Sequence, residues 1–136
     1  MRLAVFDTSV LVNLAHGDRF GALARLSSDR VVTDIVDGEL LSGRSRHPVD
    51  VERYDAAKSG GLLRVEEIVV GSAAYGEYLR LRARRVNPVR NRGEDSCIAL
   101  ALTVPESVVF VDDQHAAKRA REELGAAERV RHSAEL

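Results

Sequence analysis

The chain has 136 residues, 45% hydrophobic and 30% charged, with a formal net charge of −1. That length suits one domain with a proper core, residues 1–136, while near-neutrality excludes a globally basic nucleic-acid binder and no apolar run is long enough to span a membrane. A single cysteine, Cys97, excludes an intramolecular disulfide, and the lack of a signal-like opening makes the cytoplasm the expected location.

Leu3 to Phe6 is a short apolar run fitting a buried parallel strand. Thr8 or Ser9 can cap a helix through Leu14, ended by His16-Gly17, and a second helix is expected from Asp18 to about Ser28. Val31 to Thr33 reads as a strand, and Thr33 as the cap of a helix from Asp34 to Leu41. Gly43 to Pro48 breaks the pattern before a polar helix from Val49 to Lys58. After the Gly60-Gly61 turn, Leu62 to Val65 is strand-like, and Ser72 to Arg85 is helical until Asn87-Pro88 ends it. A helix from Glu94 to about Thr103, a strand from Val108 to Val111 and a helix from Asp113 to Leu124 complete the alternation, with Gly125 as a stop. The polar tail Ala126 to Leu136 carries no clear pattern and reads as a poorly ordered or shortened end. Strands alternating with helices imply an α/β fold whose parallel sheet is covered on both faces.

The chemistry lies in carboxylates at element ends. In an open parallel sheet, ligands gather outside the carboxyl ends of the strands. Asp7 follows the first strand directly and Asp112-Asp113 the last. Glu39 falls three residues after Val36 and one before Leu40, on the face those residues bury, and Asp95 lies on the core-facing stripe of Ile98, Ala99 and Leu102, with Glu94 bordering it. Each has a structural alternative: Asp7 and Asp112 as turn formers, Glu94 and Asp113 as helix N-terminal charges, Glu39 as an arginine partner. Together on one edge they make an all-oxygen set, which favours Mg2+ or Mn2+ over zinc. Just upstream, Arg80 to Arg92 is a basic block whose Arg82, Arg85, Arg90 and Arg92 suit phosphates. A nuclease uses both halves. An aspartyl phosphatase would want a second acid at position 9, which is Ser9; a phosphate-receiver domain would place its acid pair after the first strand rather than the last. There is no glycine-rich phosphate loop and no His/Cys zinc spacing.

Asp7 to Leu14, Glu39 on its helix, Gly93 to Ala101 and Val109 to Ala117 resemble, in order, the four motifs of PIN-domain ribonucleases, and in size the chain is similar to VapC-type toxins of bacterial toxin–antitoxin pairs. The resemblance implies a three-layer α/β/α sandwich with a mainly parallel central sheet. It also implies Mg2+- or Mn2+-dependent RNA cleavage, a homodimer, and an antitoxin protein that blocks the acidic groove. Carried over by position, Asp7, Glu39 and Asp95 are metal-site acids, with Asp113 or Asp112 the fourth, and Thr8 or Ser9 orients them. Two departures stand out. Glu94 and Asp95 are adjacent candidates, of which face geometry favours Asp95, and Val111 stands where a Thr is usual. The contrasting reading is a PIN-like module that binds RNA or protein without cutting.

Overall fold

The structure is a computed structural model that describes residues 1–87 and 89–136. Pro88, expected with Asn87 to end a helix, lies outside the described residues. Five strands form one sheet in the order β3-β2-β1-β4-β5, with every pair parallel. The strands are β1 (Leu3–Phe6), β2 (Asp29–Thr33), β3 (Arg64–Glu66), β4 (Ser107–Phe110) and β5 (Val130–Arg131). The helices are α1 (Thr8–His16), α2 (Asp34–Ser42), α3 (Pro48–Ser59), α4 (Ala73–Ala83), α5 (Arg92–Thr103) and α6 (Gln114–Leu124). The result is an α/β/α arrangement, with the sheet parallel throughout rather than mainly so.

β1 and β4 are buried along their whole length, as strands covered on both faces must be. Their rings meet across the register: Phe6 pairs with Phe110, and the two rings stack with centroids 5.0 Å apart. α5 lies against β1, β2 and β4 and also contacts α2, α4 and α6. It is therefore surrounded, and Gly93 and every residue from Asp95 to Ala101 are buried.

Local capping follows the sequence closely in places. The Thr33 hydroxyl accepts from the Val36 amide at 3.1 Å, starting α2 as expected, and shares a 2.7 Å hydrogen bond with Ser96 on α5. Ser72 caps α4 in the same way, and Gly125, at a φ of 70°, ends α6 in the left-handed region.

Three expectations need correction: α1 starts at Thr8 with Asp7 at its N-cap and no side-chain cap bond, so neither Thr8 nor Ser9 caps it. The segment Phe20–Arg25 is a 3₁₀ helix rather than an α-helix spanning Asp18 to Ser28, because Asp18 adopts a positive φ of 52° and the backbone must restart after it. The polar tail is not a loose end: Val130 and Arg131 pair with Val109 and Phe110, and a short 3₁₀ turn, Ser133–Glu135, follows. Arg129 anchors the tail by donating to the carbonyls of Ala101 and Ser107 at 2.6 and 3.0 Å. Among the described residues no helix is long and apolar enough to cross a membrane.

Candidate metal centre and nucleic-acid interface

The sheet order reverses direction at β1, whose neighbours β2 and β4 are reached by chains running opposite ways. The crevice at the carboxyl ends of β1 and β4 is thus the topological switch point, where ligands of open α/β sheets bind. Asp7 and the Asp112-Asp113 pair sit there. Ser9 joins them: its hydroxyl donates to Asp7 Oδ2 at 3.2 Å and accepts from the Asp112 amide at 2.9 Å.

A cleft of about 230 Å3 opens at this point, lined by Asp7, Thr8, Ser9, Glu39, Asn91, Gly93, Glu94, Asp113 and Ala116. Glu39 reaches it from α2 as an exposed rim residue, not from the buried face expected for it. It is nonetheless firmly held. Thr8 Oγ1 donates to its Oε2 at 2.8 Å, and the Gly93 amide donates to Oε1 at 2.9 Å. Gly93 makes this approach possible, because a Cβ there would lie 2.7 Å from Glu39 Oε2. Asn91, at a φ of 62°, turns the chain into α5 so that this amide faces the cleft. Asp113 plays the cap role as well, accepting from the Ala116 amide at 2.8 Å while its carboxylate stays exposed at the cleft edge.

The adjacent acids of α5 part company. Glu94 lines the cleft; Asp95, which the helical-face argument favours as the metal acid, points away from it and is 0% exposed. Its carboxylate is enclosed by three guanidinium groups, at 2.9 Å from Arg82, 2.8 Å from Arg85 and 2.5 Å from Arg119. The buried face did require a partner for Asp95, but arginines supply it. Arg85 also reaches Glu94 Oε1 at 3.2 Å, so the cage backs directly onto the cleft.

This arrangement divides the basic block. Arg82 and Arg85, expected on phosphates, are turned inward onto Asp95, and Arg82 further donates to the Arg90 carbonyl at 2.6 Å. Arg90 and Arg92 remain exposed. Asp112 is likewise diverted from the acidic cleft. It accepts from Asn13 Nδ2 at 2.6 Å and from the amide and hydroxyl of Ser133 at 2.8 and 2.5 Å, tying α1 to the C-terminal segment. Burial alone would raise its carboxyl, but these donors outweigh that and hold it below the usual range.

Sequence reasoning missed Arg119, Asn13 and Ser133, which are ordinary polar residues until the fold brings them to an acid. Gly93 was available as a signal, since a glycine at a helix start beside two acids leaves room for another group's close approach.

The electrostatics of the cleft are dominated by the burial of its carboxyls. Asp7 is 6% exposed, and burial raises its pKa to about 6 against the opposing pull of the Thr8 and Ser9 amides and the Ser9 hydroxyl. Burial also raises Glu94, to about 7, with Arg85 opposing and Asp7 reinforcing. No ion pair reaches Asp7 among the described residues. Four oxygen-bearing acids, two of them poorly solvated, suit a hard divalent cation. As the side chains stand, no three acidic, histidine or cysteine groups among the described residues converge closely enough to hold an ion.

A family model described as a PIN domain matches residues 3–125. The match runs from the first strand to the end of α6 and includes all the cleft residues. No curated protein and no solved structure matches the chain.

Proposed function

The chain belongs to the PIN-domain family, whose members are typically nucleases, and we propose that it is a Mg2+- or Mn2+-dependent endoribonuclease acting as the toxin of a toxin–antitoxin pair. The observation that carries the reading is the cleft at the switch point, where Asp7 is buried with no ion-pair partner among the described residues and Glu94, held from behind by Arg85, lines the wall beside Glu39 and Asp113. Those four acids would hold one or two ions. A bound divalent ion supplies an activated water and neutralises charge developing on the phosphodiester.

The chain's own residues do the rest. Thr8 and the Gly93 amide fix both oxygens of Glu39, Ser9 couples Asp7 to the turn carrying Asp112 and Asp113, and Arg85 braces Glu94. Asp95 is assigned a positioning role, since its carboxylate is consumed by the arginine cage. Arg90 and Arg92 stand exposed near the start of α5 to hold phosphates. A homodimer, a cognate antitoxin covering the acidic cleft, and action in the cytoplasm complete the proposal.

The test is cleavage of single-stranded RNA with Mn2+, together with Mn2+ titration calorimetry, on the unaltered chain and on Asp7→Asn and Glu94→Gln. Cleavage and saturable binding that both variants lose are expected. Undiminished cutting by Glu94→Gln would remove Glu94 from the site. The spread of the acids favours a second reading, a PIN module that binds RNA or protein without cutting. RNA binding that is indifferent to divalent ions and to Asp7→Asn, with no cleavage, would establish it.

A further inference from the structure

On the far side of α6 from the arginine cage lies a larger cleft of about 800 Å3, lined among others by Asn13, Asp112, His115, Lys118, Arg121 and His132. We propose that it carries the phosphates of the single-stranded RNA flanking the cleavage point, an inference that rests on the nuclease reading above.

Four observations support it. First, the two clefts share the start of α6: Asp113 and Ala116 line the acidic one, Asp112, Gln114 and Ala117 the larger one, so a strand leaving the acids passes directly into it. Second, its cations are uncommitted. Neither Lys118 nor Arg121 has an ion-pair partner among the described residues, whereas Arg82, Arg85 and Arg119 are spent on Asp95. They lie three apart on one face of α6. Third, the one acid lining it, Asp112, has both carboxylate oxygens taken up by donors from Asn13 and Ser133, so that it stands as a single anion against the two cations Lys118 and Arg121. Fourth, His132 is oriented. Its Nδ1 lies 2.7 Å from the Val111 carbonyl, which can only accept, so Nδ1 carries a proton and Nε2, an acceptor in the neutral ring, suits a ribose hydroxyl. A polar, net-positive, open cleft suits a backbone of phosphates and sugars rather than an apolar ligand.

The experiment measures binding of a fluorescein-labelled single-stranded oligouridylate by anisotropy over a range of salt, on Asp7→Asn protein with and without Lys118→Ala plus Arg121→Ala, and with Lys118→Arg as the charge-preserving control. In parallel, RNA cleavage by the unaltered chain is followed with Mn2+. Losing two phosphate contacts should weaken binding about tenfold and reduce the slope of log K against log salt by about 1.4, roughly 0.7 for each contact, while Lys118→Arg keeps both. If the unaltered chain cuts RNA but the double variant binds with the same affinity and slope, the cleft is not the strand's path and the nuclease reading survives alone. If the chain neither binds nor cuts RNA, both fall. Tight binding of polyglutamate in place of RNA, lost in the double variant, would reassign the cleft to an acidic protein partner.

Discussion

Asp7→Asn should make the protein more stable while destroying its proposed activity. Burial lifts the Asp7 carboxyl from 3.8 to about 6 in the folded chain. At roughly 1.4 kcal/mol per factor of ten in proton affinity, the ionised side chain costs the fold about 3 kcal/mol above neutral pH. The sign follows from proton counts. Between pH 4 and 6, on the order of the two values, the folded state holds a proton the unfolded chain has released, so stability falls as pH rises through this window and stays low above it. Below it both states are protonated and the cost vanishes. An Asn at this position is neutral at every pH and can still meet the Ser9 hydroxyl. In metal-free buffer at pH 7.5, about 3 kcal/mol corresponds to a gain in Tm of about 10 °C for a domain of this size. Thermal and urea unfolding at several pH values, with a chelator present, measure it. The advantage should shrink steadily towards acid, and Mn2+ should raise the Tm of the unaltered chain more than that of the variant. An Asn variant less stable than the unaltered chain at pH 7.5, or a difference independent of pH, would refute the account of Asp7 as an uncompensated buried anion.

The other expectations can be checked with similar tools. Asp95→Ala leaves the Arg82, Arg85 and Arg119 guanidinium groups without their shared carboxylate, so urea unfolding should register a loss of about 3 to 5 kcal/mol. Gly93→Ala forces a methyl against Glu39, which must move; Mn2+ calorimetry should show weakened binding with the circular dichroism spectrum unchanged. Thr33→Val removes the α2 cap and the bond to Ser96, costing about 1 to 2 kcal/mol by equilibrium unfolding. Asp112→Ala releases Ser133 and Asn13 together, and limited proteolysis should then cut the segment after β5 sooner than in the unaltered chain.

The sequence by itself determined the frame of this protein. Short apolar runs such as Leu3 to Phe6, alternating with helical segments, fit strands of a parallel sheet buried on both faces, and the residue that follows each strand emerges at its carboxyl edge, which is why Asp7 and the Asp112-Asp113 pair were legible. Thr33 announced its cap because the hydroxyl and the amide it serves are three residues apart. Tertiary structure alone decided between neighbours. Glu94 and Asp95 differ by about 100° around a helix, and because α5 is buried on nearly every side, periodicity could not say which side was the cleft and which the arginine cage. The cage needed Arg119 from a helix 24 residues on, and the diversion of Asp112 needed Asn13 and Ser133 from opposite ends of the chain. β5 is two residues long and exists only because β4 offers it a free edge to pair with. Local pattern encodes direction and burial, whereas the pairing of charges is a property of distances that only the packed chain defines.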